Sequence, residues 1–184
     1  MAYVIRLAET KARAAAAGAN IPDDQNALFL AGDTAVVQDG LIYGKPADDR
    51  AAWQMLSQLR GRTHQVHSGI AVFRPKDGQL VTEVCTTEVT MRLYTEAEMQ
   101  GYIDSGDPLD KAGGYAIQHA GFNPVSEIKG CFANVTGLPL CRVAHCLALF
   151  DCLPDRPGGL SCQGPGEQAC PVAAQIDQLS GQPE

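Results

Sequence analysis

No apolar run in this sequence approaches the roughly 20 residues needed to cross a bilayer, and its opening residues lack the basic-then-apolar pattern of a secretory signal. Both absences lead to the expectation of a cytoplasmic protein with no membrane partner. Basic residues are scarce. Fourteen Lys and Arg stand against 21 Asp and Glu, a net charge of -7, which argues against a protein that binds a nucleic acid polymer by neutralising its phosphates. A small polyanion held by a few local lysines remains compatible with that balance. No pair of Cys-x-x-Cys knuckles occurs, so the spacing of the seven cysteines does not spell a structural zinc site, and their odd number sits poorly with a disulfide framework. Reduced thiols are the expectation. No internal repeat is visible. What is present is enough apolar material, 45% of 184 residues, for one domain or for two lobes sharing a sheet.

The densest stretch runs from Leu28 to Pro46. Its apolar run through Ala31 and Gly32 reads as a buried strand that delivers Asp33 and Thr34 to its open end. The chain then turns at Asp39-Gly40, a common two-residue hairpin signal, and returns through Leu41-Ile42-Tyr43 to Gly44-Lys45-Pro46. This pattern brings one carboxylate near one ammonium. The carboxylate can hold a divalent cation or activate a water, and the lysine can meet phosphate oxygens as a point charge. On this segment alone, the plainer reading is a surface ion pair on a hairpin.

Ahead of the hairpin, Val4, Leu7, Ala8, Lys11, Ala12 and Ala15 recur at helical spacing before Gly18. Lys11 lies on or beside that apolar face, either as a phosphate ligand or as a lysine snorkelling past the core. A second helix from Ala47 to Gly61 places Asp48 and Asp49 in its first turn and Ala52, Met55, Leu56 and Leu59 on its buried stripe; Trp53 is off that stripe, placed for a lobe or subunit contact. Thr63–Phe73 and Leu80–Leu93 read as two long strands of a hairpin. His64 and His67, three apart on a strand, point to opposite faces and do not share a metal. Thr95-Glu96-Ala97-Glu98 matches a capping box, starting a helix that carries Met99, Tyr102 and Ile103 and is broken at Asp107-Pro108.

Asp110-Lys111-Ala112-Gly113-Gly114 sets a charged pair before two glycines, where backbone can approach a ligand closely, and Gln118 carries both a donor and an acceptor. A tight turn into a strand explains the same residues. From Gly130 a strand, a turn and a last helix reaching about Phe150 are expected, with Pro139 near the helix start. Residues 151–184, rich in Pro, Gly, Gln and Cys, read as a poorly ordered tail.

Taken in order, Gly32-Asp33-Thr34, Gly44-Lys45-Pro46, the run from Leu59 to Gly69, Asp110 to Gln118, and Asn134 to Leu140 resemble the Maf family of nucleoside triphosphate pyrophosphatases. The resemblance covers Tyr3 to about Phe150 and makes 1–150 the family domain. It implies an α/β protein with an elongated, two-lobed Maf/Ham1-like (ITPase-like) fold, a mixed twisted sheet and a nucleotide cleft between lobes, usually in a homodimer. The implied reaction converts dTTP and UTP to monophosphate and pyrophosphate with a divalent metal such as Mg²⁺, Mn²⁺ or Co²⁺. By the same resemblance Asp33 is the proton acceptor and metal-side carboxylate, Thr34 and Gln118 set base choice, and Lys11, Lys45 and Lys111 hold phosphates. Gln118 is the residue that points to the pyrimidine branch. Family members also carry a Ser-x-Ser-Pro-Arg-Arg motif and an Asp-Glu pair ahead of the first helix, and these 184 residues contain neither. The expected domain is therefore N-terminally truncated. That absence keeps open a non-catalytic relative that retains the fold as an interaction protein, and the C-terminal cysteines separately leave open a metal- or redox-responsive protein.

Overall fold

The structure, a computed structural model, describes residues 1–20 and 26–152. It is an α/β protein in the element order α1 (Ala2–Gly18), β1 (Phe29–Gln38), β2 (Leu41–Tyr43), α2 (Asp49–Leu59), β3 (Thr63–Arg74), β4 (Gln79–Met91), α3 (Glu96–Asp104), β5 (Val125–Lys129), α4 (Phe132–Val135) and α5 (Leu140–Ala148). Two 3₁₀ turns, Asp107–Asp110 and Ala112–Gly114, lie between α3 and β5. The five strands form one sheet in the order β2-β1-β3-β4-β5, with β1–β2 and β4–β5 antiparallel. No helix among the described residues is long and apolar enough to cross a membrane.

The chain divides into two compact units. The first comprises Met1–Asp33, Ser68–Cys85 and the chain from Cys131; the second comprises Thr34–His67 and Thr86–Gly130. In the first unit, alternation along β3 explains the packing, because successive strand residues face opposite sides. Ala71 turns to α1 and packs with Ala8 and Ala12. Ile70 and Val72 turn the other way, against Val143, Cys146 and Phe150 at α5. The contact with α1 is unusually close: a Cβ at Gly69 would lie 2.6 Å from the Val4 carbonyl carbon and oxygen. Only glycine fits there without moving helix backbone, and overpacking of that kind costs about 1–3 kcal/mol.

The second unit is built on α2 and α3. Asp48 caps α2 by accepting from Ala51 N at 2.7 Å, and the Thr95–Glu98 capping box expected for α3 is present in both directions. Their buried stripes are Ala52, Leu56 and Leu59 on one and Met99, Tyr102 and Ile103 on the other, as the periodicity predicts except that Met55 is only half-buried. Tyr102 stacks on Phe122 at 4.4 Å between ring centroids, and Tyr94 lies 4.8 Å from the same ring. The hairpin of β1 and β2 turns at Asp39 and Gly40, both at positive φ, with Gln38 opposite Leu41.

Two expectations need correction. Asp33 and Thr34 sit in the middle of β1, not at its end, because the strand runs on through Val37 to Gln38. The strand expected from Gly130 is instead a short helical turn, α4, closed by Asn134 N donating to Cys131 O at 3.1 Å. The actual strand precedes it as β5 at Val125–Lys129. Most of the expected tail, from residue 153 onward, lies outside the described residues.

Both strand histidines are buried and serve the structure. His64 Nε2 is 2.7 Å from the Tyr115 hydroxyl, and His67 Nδ1 is 2.8 Å from Thr86 Oγ1. Burial lowers the His64 imidazole from 6.5 to about 4. The folded chain therefore binds this proton less readily than the unfolded one, and stability falls as pH drops from about 6.5 through about 4. His67, also lowered by burial, acts in the same direction. Urea unfolding should accordingly show a loss between pH 7 and pH 4.5 that shrinks by about 2 kcal/mol in His64→Gln. An unchanged loss in that variant would contradict a neutral, buried His64.

Candidate functional site

In the first unit, the two faces of β1 decide what Asp33 meets. Gly32 lies under Ile70, with the nearest side-chain carbon 3.3 Å from where a Cβ would be. Ala31 and Asp33 therefore turn to the α1 side, and Ala31 joins the Ala8–Ala12–Ala71 cluster there. Lys11, one position before Ala12 on α1, reaches across with Nζ 2.5 Å from Asp33 Oδ1 and 3.3 Å from Gly32 O. Asp33 is sheltered, its side chain 16% exposed against 55% for Lys11. The cation on Asp33 is thus Lys11, where the hairpin reading expected Lys45. Asp33 Oδ2 has no partner among the described residues.

In the second unit, Thr34 faces away from Asp33, on the same side of β1 as Val36. Gly113 packs on Val36: its φ is 74°, and a Cβ there would lie 3.1 Å from both Val36 methyls. Gly113 N donates to Gly44 O at 3.0 Å. This bond ties the loop carrying Lys45 to the loop carrying Lys111, and Gly114 completes the contact against Pro46 and Ala52. Lys45 itself is exposed and makes no ion pair among the described residues. Gln118 is exposed in the following turn, its amide without a hydrogen-bond partner among the described residues.

Lys111 is far from free. Nζ donates to Asp107 O at 3.0 Å, to Asp107 Oδ1 at 3.0 Å and to Asp110 Oδ1 at 2.6 Å. Burial works to lower its pKa, but the hydrogen bonds it donates to Asp110 and Asp107 outweigh that and raise the value above the ordinary lysine range. Asp107 is fixed in turn: its Oδ2 accepts from the Tyr102 hydroxyl at 2.7 Å, and that hydroxyl accepts from Ala116 N at 3.0 Å. Sequence reasoning missed this relay. Asp107 read only as a helix breaker and Tyr102 only as core, although the four-residue interval from Asp107 to Lys111 is a recognisable pairing distance on a helical turn.

Among the described residues no three His, Cys, Asp or Glu side chains are grouped to hold a metal ion. Asp33, with one oxygen open, still suits Mg²⁺, which is commonly bound through one or two carboxylates with water and substrate phosphates completing the shell. Cys85, Cys131, Cys141 and Cys146 are buried and Cys152 is exposed, with no disulfide among these five; Cys162 and Cys170 lie outside the described residues. A separate cleft of about 360 Å³ on the second unit is lined by Asp49, Arg50, Trp53, Gln54, Gln100 and Ile103. None of the expected site residues contributes to it.

Several known proteins are similar to this chain. A dTTP/UTP pyrophosphatase of Dehalococcoides mccartyi is 47% identical over 120 residues, covering 65% of this chain and 54% of the relative. One from Syntrophotalea carbinolica is 46% identical over 145 residues, 79% of this chain and 64% of the relative. One from Chlorobium phaeovibrioides is 48% identical over 143 residues, 76% and 72% of the two chains. The chain thus spans between about half and three quarters of the length of these relatives. The family described as Maf-like protein matches residues 1–150, and with the motif residues placed as above, the chain belongs to the Maf family.

Proposed function

We propose that this chain hydrolyses nucleoside triphosphates, with dTTP and UTP as substrates, to the monophosphate and pyrophosphate. The observation that carries the reading is Asp33: a sheltered carboxylate whose one oxygen is fixed by Lys11 and whose other oxygen is open. Such a group can take a proton from an attacking water without swinging away. The names of the relatives support the substrate class.

In the proposed reaction, water attacks the α-phosphorus, Asp33 accepts its proton, and pyrophosphate leaves with the electron pair of the broken α–β anhydride bond. Lys45 and Lys111, on loops joined by the Gly113–Gly44 bond, oppose the charge of the polyphosphate, and Lys11 both orients Asp33 and contributes a third cation. A divalent metal held by Asp33 supplies Lewis-acid polarisation of phosphoryl oxygens when bound. Gln118 reads the base, with Thr34 contributing to that choice. An amide donates and accepts at once, so it can pair with the neighbouring carbonyl and N–H on a uracil or thymine edge. We place the protein in the cytoplasm as a homodimer with no nucleic acid polymer as partner; the net charge of -7 supports the last point.

Two substitutions test the reading. Asp33→Asn keeps the volume and removes the charge, and should lower pyrophosphate release from dTTP by at least about a hundredfold with the thermal unfolding transition retained; near-normal turnover would overturn the role of Asp33. Gln118→Glu can only accept. It should cost dTTP and UTP turnover roughly tenfold to a hundredfold in kcat/KM. A set of rates over dTTP, UTP, CTP and GTP that is unchanged by this variant would remove Gln118 as the base reader.

A further inference from the structure

We propose that the two carboxylates on Lys111 do opposite jobs: Asp107 fixes the ammonium in position, and Asp110 occupies the place that a substrate phosphate takes. The inference rests on the reading of Lys111 as a phosphate-holding residue and deepens it.

An ammonium has three donors, and the contacts of Lys111 Nζ account for three: Asp107 O, Asp107 Oδ1 and Asp110 Oδ1. A phosphate oxygen can bind only by displacing one of them. The Asp107 carbonyl belongs to a 3₁₀ turn, so it moves only with the backbone. The Asp107 carboxylate is 31% exposed and is anchored through its other oxygen by Tyr102, a side chain buried in the unit and itself bonded to Ala116 N. Asp110 differs on each count. Its side chain is 77% exposed, and Lys111 is its one side-chain partner among the described residues. Exposed ion pairs of this kind are weak and easily exchanged.

The exchange is balanced in charge, since Lys111 trades a carboxylate for a phosphate oxygen and Asp110 returns to water. Asp110 is then an internal competitor, and every binding event includes its departure. A ligand whose site is partly occupied by such a group binds more weakly in proportion to that occupancy. Asp107 acts through Lys111 and is a positioning residue. Its removal leaves the lysine held by the main-chain carbonyl at position 107 and by an exposed acid, with the Tyr102–Ala116 link no longer joined to it.

The two roles predict shifts of opposite sign, measured on the full chain in two ways: calorimetric titration of inorganic triphosphate, and the dTTP dependence of pyrophosphate release. Asp110→Asn should tighten triphosphate binding and lower KM two- to fivefold, with kcat unchanged. Asp107→Asn should weaken binding and raise KM about tenfold, and Asp107→Glu should recover part of the loss. Glu96→Gln removes the same charge from an exposed site elsewhere in the second unit and should leave both values within twofold. The proposal is overturned if Asp110→Asn weakens or leaves unchanged the triphosphate affinity, or if Glu96→Gln tightens it as much. It is equally overturned if Asp107→Glu shows no recovery. If the wild type releases no pyrophosphate while the triphosphate shifts keep their opposite signs, the Asp107 and Asp110 roles stand and the hydrolytic reading fails.

Discussion

The missing side chain at Gly69 governs the first unit. Because nothing projects there, the α1 backbone lies directly on β3, closer than any Cβ permits. That approach lets small residues form the interface, with Ala8 and Ala12 of α1 meeting Ala71 of β3. A larger interface would lift the helix and with it Lys11. At the observed spacing Lys11 reaches Asp33 on the neighbouring strand, so the ion pair at the proposed catalytic carboxylate follows from an alanine and glycine contact two strands wide.

Glycine serves a second purpose around Lys111. At Gly113 the backbone adopts positive φ against the Val36 methyls, a position where a side chain would be both strained and crowded. The reward is a direct backbone bond to Gly44 and a fixed relation between the loops of Lys45 and Lys111. Polar groups complete the arrangement: Tyr102, Asp107 and Ala116 form a chain of hydrogen bonds that ends on Lys111. Such a chain holds its members together more firmly than separate contacts do. It makes the loop rigid on the Asp107 side and leaves it exchangeable on the Asp110 side.

The elements legible in the sequence were those with strong local signals. The period of Val4, Ala8 and Ala12 marked α1, the Asp39-Gly40 pair marked the first hairpin, and the Thr95–Glu98 box marked α3. Short segments were not legible. β5 has five residues, too few for alternation to stand out, and the four residues Phe132–Val135 read as readily as strand as they do as one helical turn. The residue types of the site were also readable, but their partners were not. Lys11 and Asp33 are 22 positions apart, and their meeting depends on a helix-on-strand packing that no local pattern encodes. The hairpin suggested Lys45 as the partner because it considered only what lies nearby in the chain.

In the proposed function, water attacks the α-phosphorus of a pyrimidine nucleoside triphosphate. Hydrolysis of dTTP in ¹⁸O-labelled water with Mg²⁺, followed by mass analysis of both products, locates the attacked phosphorus. Attack at the α-phosphorus places the label in the monophosphate and leaves the pyrophosphate unlabelled. Label in the pyrophosphate, or release of orthophosphate in its place, would contradict it.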